Sequence, residues 1–158
     1  MEMSFVERLN LFENWGLEND TIFETGKFSV LWGCFEWKYF NNNCNKEKID
    51  QAMQTININQ NLISSCGEII NELKVLYNND TKVIIERLRC NKMTKEINKC
   101  LNNKDIDNLS LLQGALYICY RIRNNMFHGE KCEFFLDRQR NLFININIFL
   151  TELLIIKC

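Results

Sequence analysis

The run Arg121-Ile122-Arg123-Asn124-Asn125-Met126-Phe127-His128-Gly129-Glu130-Lys131 holds the side chains best suited to chemistry, and His128 is the only histidine in the 158 residues. An imidazole titrates near neutral pH and serves as proton acceptor or donor. A guanidinium stays charged, and its fork matches the oxygens of a phosphate or a carboxylate. Asn124, next to Arg123, adds an amide able to orient either group. Together these types fit acid–base chemistry on an anionic substrate. The plainer role of a histidine at a helix end is to satisfy backbone carbonyls and the helix dipole.

The run closes a helix expected from about Asn108 to Phe127, with Gly129 as its C-terminal glycine. At 100° per residue, Leu109, Leu112, Ala115, Leu116, Cys119, Ile122 and Met126 form one apolar arc. Arg123 falls at the margin of that arc, whereas Tyr117, Arg121, Asn124 and His128 lie on the opposite, polar side. Burying a guanidinium costs several kcal/mol unless it is paired, so Arg123 calls for an acidic partner, and Glu36 is available. Arg123 and His128 point about 140° apart. If both act on one substrate, the helix must distort or a second copy of the chain must contribute.

The elements that position this run read as helices. Pro is absent and Gly numbers only 6, which leaves little of the turn chemistry that strand-rich folds need. Ser4-Phe5-Val6-Glu7 is a capping box opening a short helix through Trp15. A second helix is expected over Phe28 to Phe40, with Phe28, Trp32, Phe35, Trp37 and Tyr39 around its girth and largely buried. Further helices are expected over 46–55, 63–77, 82–90 and 137–157. The stretch 91–108 reads as weakly patterned helix and loop. The expectation is an all-α bundle of four to six helices in one domain spanning 1–158.

A net charge of −1 excludes a bulk polyanion binder, so nucleic acid would have to be met by a local patch. Eight scattered cysteines without a C-x-x-C, and one histidine, argue against a metal site, and no cofactor is expected. The charged, amphipathic N-terminus and the reduced thiols point to the cytoplasm. Leu142 to Ile156 is too short and too interrupted to cross a membrane.

Arg123-Asn124-Asn125-Met126-Phe127-His128 matches the R-x4–6-H motif of the HEPN superfamily. The longer string from Tyr120 to Lys131 resembles the RNNxFHGxK signature of Apea-like and related members. Phe28-Ser29-Val30-Leu31-Trp32-Gly33-Cys34-Phe35-Glu36 resembles the aromatic early helix of the same groups. The resemblance implies a helical homodimer that cleaves RNA without metal in a cleft between two motifs, with Arg123, Asn124 and His128 as the active-site set. Arg121, Lys131, Arg138 and Arg140 are then candidates for contacts to RNA phosphate; the last two follow a loop that could return beside the motif. It also implies a toxin or antiphage effector, with an antitoxin or defence-system protein as partner. Some such toxins carry a tyrosine two residues after the histidine; Glu130 stands there in this chain. A non-catalytic module binding RNA, a nucleotide or a protein through the same cleft is the alternative.

Overall fold

The structure, a computed structural model, describes residues 18–41, 43–127 and 137–156. Among these, seven α-helices and two 3-10 turns carry the chain, and there is no strand. The helices are α1 (Asn19–Phe40), α2 (Lys46–Ala52), α3 (Gln60–Leu76), α4 (Thr81–Leu88), α5 (Thr94–Asn102), α6 (Asn108–Phe127) and α7 (Arg140–Ile155). The all-α expectation holds, with one helix more than the upper bound of six.

Asparagine does here much of what proline and glycine do elsewhere. Asn45 and Asn59 open α2 and α3 by accepting from the amides of Lys48 and Leu62, both at 2.8 Å. Asp80 and Asp107 do the same for α4 and α6. Such caps satisfy amides that the first helical turn leaves without partners. Asn41, Asn78, Asn79 and Asn91 take positive φ between 50° and 61°, the left-handed conformation that asparagine tolerates better than most residues. The abundance of asparagine carries no function in the sequence, but it carries helix boundaries in the fold.

The core is one contiguous apolar cluster among the described residues. α7 lays Leu142, Phe143, Ile146, Phe149, Leu150 and Leu153 against α1 and α3. α6 runs through the middle, with Leu112, Ala115, Leu116, Cys119 and Ile122 all fully buried. Phe28 meets Phe143 at 5.6 Å between ring centroids, and Trp32 meets Tyr120 at 6.3 Å, tying α1 to α7 and to α6. Lys38 closes the bundle by donating to the carbonyls of Leu153 and Leu154 at the end of α7.

Several expectations are corrected. α1 begins at Asn19, nine residues before Phe28. Its first turns lie on α7, where Asn147 donates to the Glu24 carbonyl and carboxylate. Trp37 is 77 % exposed, since α1 is apolar on two opposite faces and only one meets the core. Tyr117 is fully buried although it lies off the apolar arc. Its hydroxyl donates to Asp50 of α2, which covers that side of α6. The 91–108 stretch holds helix and loop as expected, the helix being α5, which buries Ile97, Cys100 and Leu101. The last helix starts at Arg140, after a 3-10 turn over Asp137–Gln139.

Candidate active site

The last two turns of α6 bring Arg121, Arg123, Asn124 and Asn125 to the neighbourhood of α1 and α4. Their period is 3.6, so the four side chains diverge and meet different neighbours.

Arg123 faces α1. Its Nη2 stands 3.9 Å from Glu36 Oε1, a charge contact beyond hydrogen-bond length, and its Nη1 donates to Asn124 Oδ1 at 3.0 Å. The guanidinium side chain remains 31 % exposed, while that of Glu36 is only 17 % exposed. Glu36 is itself held: Oε1 accepts from Trp32 Nε1 at 2.8 Å and from the Cys44 amide at 3.4 Å. Trp32 precedes Glu36 by one helical turn, so the indole and the carboxylate share a face of α1. A half-buried anion fixed by two N–H groups thus sets the position of the arginine. Burial, and then the Glu36 charge, push the Cys44 thiol up to about 12, with Arg123 opposing. Cys44 is therefore a protonated thiol at neutral pH and no nucleophile.

Arg121 and Asn125 face α4. Arg121 Nε donates to the Leu88 carbonyl at 3.1 Å. The buried Asn125 amide donates to the carbonyls of Arg87 and Leu88 at 3.2 and 3.3 Å. Both side chains cap the C-terminal end of α4, where Arg89 adopts a left-handed conformation with φ 51°. The Nε–H of Arg121, a candidate for phosphate, is spent on the scaffold.

Arg138 is exposed, and Arg140 pairs with Glu18 and, at 4.0 Å, with Asp20. Glu18 and Glu36 lie at opposite ends of α1, about 27 Å apart along its axis. Arg140 is therefore not brought to Arg123 within one chain, and Arg138 precedes Arg140 by two residues. The expectation that the loop returns these two beside the motif is corrected. His128 and Lys131 lie outside the described residues.

The site thus brings together Arg123, Asn124 and Glu36. Trp32 and the Cys44 amide, which hold Glu36, escaped the sequence reading. The i, i+4 spacing of Trp32 and Glu36 was a usable signal for the first. Nothing in the sequence signals the second, because it comes from the loop between α1 and α2. Among the described residues no group of three His, Cys, Asp or Glu side chains could hold a metal ion, and no helix is long and apolar enough to cross a membrane. Comparison with protein-family models, with curated proteins and with solved structures gives no match to this chain.

Proposed function

We propose that this chain is a metal-independent endoribonuclease of the HEPN type, working as a homodimer and serving as a toxin or antiphage effector. The observation that carries the reading is the placement of Arg123. It sits one turn before the end of α6, partly exposed, oriented by Glu36 and Asn124, five residues ahead of the only histidine. In this mechanism the RNA 2′-hydroxyl attacks the adjacent phosphorus. One His128 takes its proton, the other protonates the leaving 5′-oxygen, and Arg123 stabilises the charge that builds on the phosphoryl oxygens. The products are a 2′,3′-cyclic phosphate and a 5′-hydroxyl.

The test is incubation of the purified chain with RNA in EDTA. Cleavage is expected, with cyclic phosphate ends, falling about 10²–10⁴-fold in His128→Ala. Absence of any cleavage that depends on His128 would sink the proposal. The Arg123–Glu36 contact also favours a second reading, in which Arg123 is chiefly structural and the cleft binds RNA, a nucleotide or a protein without cutting. Intact RNA retained by the wild-type chain but released by Arg123→Ala would select it.

A further inference from the structure

The bend where α4 passes into α5 gathers positive charge in a chain whose net charge is −1. Residues 87–95 hold Arg87, Arg89, Lys92 and Lys95 and no carboxylate, and all four cations are exposed. Arg89, left-handed at φ 51°, ends α4 and turns the chain into the 3-10 turn Asn91–Met93. Cations elsewhere find carboxylates: Lys46 pairs with Asp50, Lys99 with Asp107, Arg123 with Glu36 and Arg140 with Glu18. Among the described residues none pairs with Arg87, Lys92 or Lys95. Glu86 and Glu96 flank the run, and Glu96 has one carboxylate oxygen buried. Like charges left together on a surface repel one another, and a bound anion relieves them.

This bend is fastened to the end of α6 that carries the candidate site. Arg121 Nε holds the Leu88 carbonyl, and Asn125 holds those of Arg87 and Leu88. Asn125 adjoins Asn124, which accepts from Arg123. Burial pushes the Cys90 thiol up to about 11 and the Arg121 charge opposes it, so that guanidinium stands close to the bend. Burial also raises the Tyr77 phenol, with the Arg87 charge opposing, so a half-buried ring lies near that cation. Arg121 spends Nε on Leu88 and Nη2 on Asn125, and its Nη1 takes no bond among the described residues.

We propose that Arg87, Lys92 and Arg121 hold phosphates of an RNA strand that runs from this bend across the end of α6 to Arg123. That the strand is RNA rests on the ribonuclease reading; the charge of the bend does not. Guanidinium and ammonium groups neutralise phosphates whatever the base, and a ring such as Tyr77 offers a face to a base. The crossing is about 10–12 Å, the width of a helix with its side chains, or about three nucleotides of a stacked strand. An anionic membrane suits the bend less well. Leu88, Cys90 and Met93, the apolar members of the run, are buried, so the cations stand without an apolar group to enter lipid.

A 2′-O-methyl oligoribonucleotide tests this, since it keeps the phosphates and lacks the hydroxyl nucleophile. Fluorescence anisotropy reads its affinity for the full chain across a salt series. The double variant Arg87→Gln/Lys92→Gln should bind about tenfold more weakly at low salt. Its slope of log affinity against log salt should be shallower by about 1.4, or about 0.7 for each lost phosphate contact. Lys27→Gln/Lys104→Gln removes the same charge from exposed sites elsewhere and should leave the slope unchanged. A wild-type chain that does not bind the strand would overturn the proposal, as would equal losses in the two double variants. So would capture of phosphatidylserine vesicles, but not of the strand, through Arg87 and Lys92. Cleavage of unmodified RNA by the same preparations keeps the two readings apart. Cleavage together with binding indifferent to Arg87 and Lys92 overturns this path and leaves the ribonuclease reading standing. Binding through both residues without cleavage supports the path and sinks the ribonuclease reading.

Discussion

Glu36 of α1 stands between Trp32 and Arg123, with one carboxylate oxygen taking the indole N–H at 2.8 Å and lying 3.9 Å from the guanidinium. The carboxylate is held by the indole and by the Cys44 amide, so it offers a fixed point from which Arg123 is positioned. Glu36→Gln keeps the shape and a hydrogen-bond acceptor but removes the charge. It should cost about 1–2 kcal/mol of stability, the range for a partly exposed charged contact. If Arg123 serves RNA cleavage, the same change should lower kcat by about ten- to a hundredfold through misplacement, with KM little altered. Urea denaturation and steady-state cleavage on one preparation separate the two effects. Unchanged turnover in a folded Glu36→Gln protein would show that Arg123 needs no positioning from α1.

Asn125 gives a prediction that concerns the scaffold alone. Its amide is buried and donates to the carbonyls of Arg87 and Leu88. Asn125→Ala strips the end of α4 of these partners and should destabilise the fold by about 1–3 kcal/mol. Asn124, half-buried and bonded to Arg123, is expected to behave in the opposite way. Asn124→Ala should leave the urea midpoint nearly unchanged and reduce cleavage. Equal losses of stability in the two variants would contradict this division of labour.

How far the sequence reaches can be judged from particular residues. α6 was legible because its apolar period is strong and unbroken, and the contact of Arg123 with Glu36 followed from placing a cation and an anion on apolar faces. Trp37 was misread because a helical period reveals apolar faces without saying which one meets the core. Tyr117 was misread for the complementary reason. A side chain off the apolar arc becomes buried when another helix, here α2, brings Asp50 to its hydroxyl. The roles of Asn125 and Arg121 depend on where α4 ends relative to α6, a long-range relation that no local pattern encodes. The same holds for Arg140, which is near the motif in sequence but at the far end of α1 in space.

Gly114 tests the closeness of α5 and α6. A Cβ added there would stand 1.8 Å from Cys100 Sγ and 2.9 Å from its Cβ. Rotation about χ1 can move the Cys100 Sγ out of the buried seat it holds but leaves Cβ in place, so α5 must shift as well. Gly114→Ala should lose about 1–3 kcal/mol through overpacking, even though alanine is the better helix former by about 1 kcal/mol. Adding Cys100→Ala removes the nearer clash and should recover part of the loss in a double-mutant cycle. A stabilised Gly114→Ala protein would mean that the two helices separate at little cost.

Asp50 and Tyr117 make stability depend on pH at both extremes. Burial alone would raise Asp50, but hydrogen bonds from Tyr117, Gln113 and Lys46 outweigh it and hold the carboxyl below its ordinary 3.8. Burial, and then the hydrogen bond to Asp50, push the Tyr117 phenol from 10 up to about 12. A depressed carboxyl contributes stability above its unfolded value, and that contribution is lost as pH falls through the folded one. A raised phenol works in the other direction. Its contribution is complete below about pH 10, declines above that and is gone beyond about pH 12. Tyr117→Phe removes the phenol and one donor to Asp50, and should cost about 0.5–1.5 kcal/mol at pH 7. Measured between pH 9 and about 12, the difference in urea midpoint between wild type and Tyr117→Phe should shrink as the phenol ionises in the unfolded chain. Parallel curves over that range would mean that the hydroxyl ionises alike in the folded and unfolded states. The link between α2 and α6 would then not rest on its proton.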